Sequence, residues 1–242
     1  MRFLVLQHVA VEHPGVFRDF WRDAGIGWDA VELDAGETIP ALDPYDAMFV
    51  MGGPMDVWEE AEHPWLVPEK AAIRRWVAEL GRPFLGICLG HQLLAEALGG
   101  AVGKGAAEVG FGEVAFTRRG RADPLFAGFG AGMDVFQWHG AEVKSLPTGA
   151  VALAENDLCG VQAFRYGGCA YGLQYHVELT DRTVPEWRGL PAYAASLEAI
   201  FGEGGAERLE AETAARLPAF EAAAARLNAN FLSIIDSRRA AA

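Results

Sequence analysis

Phe84-Leu85-Gly86-Ile87-Cys88-Leu89-Gly90-His91-Gln92 is the stretch on which the reading of this 242-residue chain turns. Pro83 to Ile87 is short and apolar, as a strand buried on both faces should be, and an apolar helix from Leu89 to Leu98 follows at once. A cysteine therefore sits at a strand-to-helix junction, with glycine two residues before it and two after. Such a turn is too tight for flanking side chains, and glycine relieves the crowding. The helix beginning at Leu89 aims its free amides and the positive end of its dipole at the sulfur. That predicts a lowered thiol pKa and an oxyanion-binding site. Alone the pattern is weak. With 29 glycines in 242 residues, chance supplies Gly-x-Cys-x-Gly about 4 times in 100 over three cysteines, and cysteine is among the residues most often simply buried.

Working outward, the flanking segments repeat the strand–helix rhythm. Arg2–Gln7, Trp28–Leu33 and Ala47–Met51 read as strands, Pro14–Ala24 and Trp65–Leu80 as helices, and Asp34–Tyr45 as a loop. In the second helix Leu66, Ile73, Trp76, Val77 and Leu80 share one face. This alternation argues for a mostly parallel sheet covered on both faces. From the middle onward short strands follow one another: Gly112–Thr117, Asp134–Trp138, Ala150–Glu155, Gly160–Tyr166 and Ala170–Tyr175. They imply an antiparallel extension of the sheet. Residues 182–230 are Ala- and Glu-rich and read as helical, with breaks expected at Pro185, Pro191 and Pro218, and the last five residues as frayed.

Composition bounds the function. Hydrophobic residues make up 51% of the chain, enough for a full core in one domain of residues 1–242, with the core at about 1–180 and a helical segment at about 182–236. A net charge of −13 excludes the basic footprint of a nucleic-acid binder. No stretch of about 20 apolar residues predicts a membrane span, and the N-terminal apolar run is too short for a signal segment. Cys88, Cys159 and Cys169 form no paired framework, which points to a reducing, cytoplasmic setting. No His/Cys cluster has zinc spacing and no GxxxxGK loop occurs, so neither a metal nor a cofactor is expected.

Three further segments carry chemistry. Tyr171-Gly172-Leu173-Gln174-Tyr175-His176-Val177-Glu178 ends a strand in His-x-Glu, so a carboxylate can orient the imidazole at the strand tip. Met51-Gly52-Gly53-Pro54 ends another strand, and its glycines let backbone amides approach a ligand closely. Phe136-Gln137-Trp138-His139-Gly140 places an aromatic-His-Gly run after a strand, where a core histidine is the default reading. Each has a bland counterpart: a surface His with an exposed Glu, or a plain turn.

Taken in order, Gly-Gly-Pro, Gly-x-Cys-x-Gly-His-Gln, His-Gly and Gly-x-Gln-Tyr-His-x-Glu resemble the class I glutamine amidotransferases, most closely the stand-alone GMP-synthase-like branch, over residues 1 to about 180. The resemblance implies a flavodoxin-like three-layer α/β/α sandwich and a Cys-His-Glu triad of Cys88, His176 and Glu178. It implies an oxyanion hole from the Gly53 and Leu89 amides and substrate contacts from Gln92 and from Trp138, His139, Gly140 and Ala141. The activity implied is hydrolysis of the glutamine side-chain amide through a γ-glutamyl thioester on Cys88, releasing glutamate and ammonia.

Two departures bear on specificity. Val177 stands where many relatives have Pro between the His and the Glu, and Val keeps the extended spacing. Ala141 stands where the GMP-synthase-like branch often carries Asp, so a carboxylate near the substrate's α-amino end is missing. Residues 182–242 are too few for a synthase domain, so an ammonia acceptor is expected on a separate subunit; homo-oligomerisation stays open. The alternatives are a γ-glutamyl peptide or conjugate hydrolase using the same triad, and a non-catalytic regulatory or binding subunit.

Overall fold

The computed structural model describes residues 1–240. Its first half alternates strands and helices: β1 (Arg2–Gln7), α1 (Phe17–Asp23), β2 (Gly27–Glu32), β3 (Ala47–Val50), α2 (Leu66–Arg74), β4 (Phe84–Ile87) and α3 (Leu89–Ala97). Strands dominate next: β5 (Ala101–Phe116), β6 (Gly132–Ser145), β7 (Ala150–Glu155), β8 (Ala163–Tyr166) and β9 (Ala170–Leu173). Helices α4 (Thr183–Trp187), α5 (Pro191–Phe201) and α6 (Gly205–Ala240) complete the described chain.

The strands form one sheet in the order β2-β1-β3-β4-β9-β8-β7-β5-β6. Its first five members run parallel, in the flavodoxin-like order, and the other four are antiparallel. Period-2 alternation sends Phe3, Val5, Phe49, Leu85 and Ile87 to one face, packed with Phe17, Trp21, Leu227 and Phe231 of α1 and α6. Leu4, Leu6, Met48, Val50 and Phe84 point to the other, against Leu66, Ile73, Leu93 and Leu94 of α2 and α3. Three layers result. The extension then curls back: Phe136 of β6 bridges His176, just past β9, so the far edge of the sheet meets the chain beside Cys88.

Several expectations are corrected by packing. β5 starts at Ala101 rather than Gly112, and β6 runs to Ser145 rather than Trp138. The glycines of residues 103–112 look like turns, but Gly103, Gly110 and Gly112 are paired with β6 across a register shift between Lys104 and Glu108, and Gly110, at φ +98°, lets Phe201 of α5 pack over the strand. β9 stops at Leu173, two residues short of Tyr175. α2 passes into a π-helical turn at Arg75–Glu79. Its wider winding turns Leu80 off the buried face, leaving it 38% exposed. Pro185 lies within α4 and Pro191 opens α5, where a missing N–H costs little. Pro218 does not break α6, which continues through it to Ala240; residues 241–242 lie outside the described part. Pro218 faces solvent, so water can satisfy the freed carbonyl of Ala214 while both flanks of the helix stay buried.

Candidate active site

Three parallel strands end side by side at one edge of the sheet, and each hands over one motif. β4 delivers Cys88, β3 delivers Gly52 and Gly53, and β9 leads to His176 and Glu178. This carboxyl edge is where open α/β sheets place ligands. Cys88 has φ +52° and ψ −105°, the sole left-handed φ among non-glycine residues of the described chain. Such a conformation persists only where its surroundings over-determine it. Here the Cys88 N–H donates to Leu173 O at 2.8 Å, and the His91 N–H donates to Cys88 O at 3.0 Å. The flanking glycines are obligatory: a Cβ on Gly86 would lie 2.3 Å from Gly90 O, and one on Gly90 would lie 2.1 Å from Val50 O.

The electrostatics differ from the sequence expectation. Burial pushes the Cys88 thiol well above its ordinary value, the Glu12 and Glu178 carboxylates add to the push, and the Leu89 N–H opposes it. One helix-terminal amide does not outweigh burial beside two acids. The thiol is therefore held neutral at rest. Its sulfur lies 3.8 Å from Trp138 O and 3.8 Å from the side-chain amide nitrogen of Gln174.

His176 is pinned from several sides. Its backbone exchanges hydrogen bonds with Phe136, at 2.8 and 3.2 Å. Nδ1 lies 2.7 Å from Glu178 Oε1, and Glu178 Oε2 accepts from the Val177 N–H at 2.9 Å. The Trp187 ring of α4 packs edge-on against the imidazole, 4.7 Å between centroids. The Gly15 turn supports the acid from behind, because Val16 N–H donates to Glu178 O at 3.0 Å and a Cβ on Gly15 would collide with that oxygen. His176 and Glu178 are 1% and 4% exposed.

A cavity of about 190 Å³ opens over the sulfur. Gly53, Cys88, Leu89, Gln92, Trp138, His139, Gly140 and Ala141, all singled out in the sequence, line it. His176 and Glu178 stand outside that lining. Gln92 is less free than its motif suggests, since its amide nitrogen donates to Ala141 O at 3.2 Å and Gln174 Oε1 at 3.1 Å. It braces the β6 wall. His139 is braced as well: Nδ1 is 3.0 Å from Ala141 O, and Nε2 is 3.2 Å from Glu108 Oε2. Burial disfavours a charge on Glu108, but hydrogen bonds from His139, Asn156 and Gln162 outweigh it and lower its pKa.

Sequence reasoning missed four contributors. Glu12, 2% exposed, accepts a hydrogen bond from Tyr193 Oη, and its second oxygen has no protein partner. A Cβ on Gly52 would lie 1.8 Å from that oxygen and 3.2 Å from His176 Cε1, so glycine here makes room for both groups. Burial, then Glu178, raises the Glu12 pKa well above the carboxylate range. Tyr193 and Ser196 of α5 wall the cavity, and Ser196 Oγ accepts from the Trp138 indole at 2.8 Å. Asp56 is the carboxylate within the lining. Glu12 and Asp56 look like ordinary solvated loop acids in sequence, and only the fold brings α5 to the site. Conversely His91, inside the cysteine motif, turns away into the core, where burial lowers its pKa from 6.5 to about 3.

Comparison with known proteins agrees with this arrangement. The family model described as "Glutamine amidotransferase class-I" matches residues 21–185. The glutamine amidotransferase-like protein YfeJ of Salmonella typhimurium is 33% identical over 197 residues, covering 76% of this chain and 78% of its own length. A glutamine-hydrolysing GMP synthase subunit of Archaeoglobus fulgidus is 36% identical over 159 residues, 65% of this chain and 79% of that one. A crystal structure of a glutamine amidotransferase from Thermotoga maritima superimposes with a TM-score of 0.85 at 29% identity, covering 97% of this chain and 98% of that one. The chain belongs to the class-I glutamine amidotransferases.

Proposed function

We propose that the chain hydrolyses the side-chain amide of glutamine, with Cys88 as nucleophile, His176 as acid and base, and Glu178 orienting His176. The observation that carries this reading is the left-handed Cys88 turn, which lifts a buried thiol to the floor of a cavity at the edge where the His176–Glu178 pair stands. The thiol proton passes to His176 as the sulfur attacks the amide carbon. The carbonyl electrons collect on oxygen between the Gly53 and Leu89 N–H groups. Collapse breaks the C–N bond, the departing nitrogen takes the proton from His176, and ammonia leaves a γ-glutamyl thioester. His176 then takes a proton from water as the hydroxide adds to the thioester; collapse breaks the C–S bond, His176 returns the proton to the Cys88 sulfur, and glutamate leaves. The raised thiol pKa fits a nucleophile that ionises only when a substrate is bound.

The β6 segment from Trp138 to Ala141 receives the amino-acid end of the substrate, with Gln92 fixing its shape. Ala141 brings no charge, and Asp56, which also lines the cavity, supplies the carboxylate for the α-ammonium group in this reading. The Archaeoglobus relative is named as one subunit of a synthase. By analogy, ammonia released here is handed to a separate synthase subunit. A second reading, hydrolysis of γ-glutamyl conjugates with bulkier leaving groups, is favoured by the small walls at Ala107, Gly140, Ala141 and Ala192.

Product release by the purified chain beside Cys88→Ala tests both readings. Ammonia from glutamine, reduced at least about 10³-fold in Cys88→Ala, supports the first. Amines from γ-glutamyl dipeptides with no ammonia from glutamine support the second. No turnover of either, with Cys88 unlabelled by an electrophilic glutamine analogue, would reject both in favour of a non-catalytic subunit.

A further inference from the structure

We infer that His8, held in turn by Glu69, is a positioning residue that fixes the Gly52–Gly53 peptide with its N–H turned toward the reacting carbonyl. The inference rests on the proposed hydrolytic reading, in which the Gly53 amide is an oxyanion donor.

A peptide unit is a rigid plane whose C=O and following N–H point in opposite directions. Whatever holds Gly52 O therefore also sets the direction of the Gly53 N–H. The group that holds it is His8 Nδ1, at 2.8 Å. Local sequence cannot do so, because two glycines carry no side chain to restrict φ and ψ and Pro54 has no N–H to donate. Backbone hydrogen bonds stop one residue short, at Met51, whose N–H donates to Leu6 O and whose carbonyl accepts from Gly90 N–H. Among the described residues, the Gly53 N–H meets no protein acceptor, as a donor reserved for a ligand should not.

His8 is itself immobilised. It is 0% exposed, its Nε2 lies 2.9 Å from Glu69 Oε1 of α2, and its ring stacks on Trp65 at 5.4 Å. Both ring nitrogens face acceptors, so the ring satisfies both only as the imidazolium. Burial opposes that charge, and Glu69 with the Gly52 carbonyl outweighs it, raising the His8 pKa. The packing is close, since a Cβ on Gly53 would lie 3.0 Å from His8 Cβ. A buried ion pair is weak evidence for stability and better evidence for a fixed geometry. This pair ties the candidate oxyanion peptide to a helix 61 residues away in sequence.

The test uses His8→Phe, His8→Gln and Glu69→Gln in the full chain. It measures kcat and KM on the amide that the wild type hydrolyses, Cys88 alkylation by iodoacetamide, and the peptide orientation in a crystal structure of each variant. Losing one oxyanion donor costs about 10²–10³-fold in kcat. His8→Phe should show a loss of that order with KM within about twofold, unchanged alkylation, and a turned Gly52–Gly53 peptide. His8→Gln, which keeps an N–H donor, should recover part of kcat, and Glu69→Gln should lie between. An unmoved peptide in His8→Phe, a loss carried by KM, or alkylation falling in step with kcat would overturn the inference. If wild type hydrolyses no γ-glutamyl amide, the functional reading fails separately, and peptide orientation in the variants still decides what His8 does.

Discussion

At the scale of single residues, glycine positions set the site as much as the reactive side chains do. Gly90 faces the carbonyl of Val50 so closely that alanine must displace β3 or α3. Gly90→Ala is expected to destabilise the fold by at least about 2 kcal/mol and to lower Cys88 alkylation, read by denaturant melts and by labelling. His91 makes a different prediction. The unfolded chain takes up a proton near 6.5, whereas the folded one holds His91 neutral down to about 3. A depressed histidine pKa means stability is lost as pH falls through that window, at up to about 1.4 kcal/mol per pH unit. His91→Asn should flatten the acid limb of a stability–pH curve by close to one proton; an unaltered slope would show that His91 is not the group responsible. Both the cysteine motif and the His-x-Glu pair were legible at this scale, because a tight turn and a strand tip leave local signatures. Glu12 was not, since its burial depends on Tyr193, 181 residues away.

Secondary-structure elements were readable where their period was uniform and misread where neighbours overrode it. The apolar strands β1, β3 and β4 appear within a residue of their expected bounds. β5 did not, because its glycine-rich first half is kept in the sheet by pairing with β6 rather than by propensity. α6 carries the clearest test. Pro218 costs a mid-helix position up to about 3 kcal/mol, and here it persists because Leu209 and Thr213 on one side and Phe220, Ala224 and Leu227 on the other are buried. Pro218→Ala should therefore raise the melting temperature, the restored backbone hydrogen bond outweighing the entropy regained by the unfolded chain. A lowered melting temperature would mean that the helix is shaped to accommodate the proline.

For the whole molecule, the helices after residue 182 belong to the working structure. α6 completes one face of the sheet with Leu227, Phe231 and Ile235. α4 covers His176, and α5 walls the cavity with Tyr193 and Ser196. The family match stops at residue 185, yet the Thermotoga structure is superimposed over 97% of the chain, so this cover is shared with a solved relative. A chain ending at residue 181 is expected to lose cooperative unfolding and soluble yield, because it would bare a row of large apolar side chains. A truncated chain that melted like the intact one would make residues 1–180 a self-sufficient core.

Sequence alone determined the fold class, the order of the parallel strands' motifs, the glycine-flanked turn at Cys88 and the pairing of His176 with Glu178. These follow from short-range rules: buried runs, turn glycines, and the convergence of parallel strand ends. Tertiary structure alone decided the thiol's resting state, the bracing of Gly52 by His8 and Glu69, the entry of Glu12, and the α5 wall. Those depend on burial and on contacts between residues far apart in the chain, and no local pattern encodes how much water a group will lose or which distant partner will replace it.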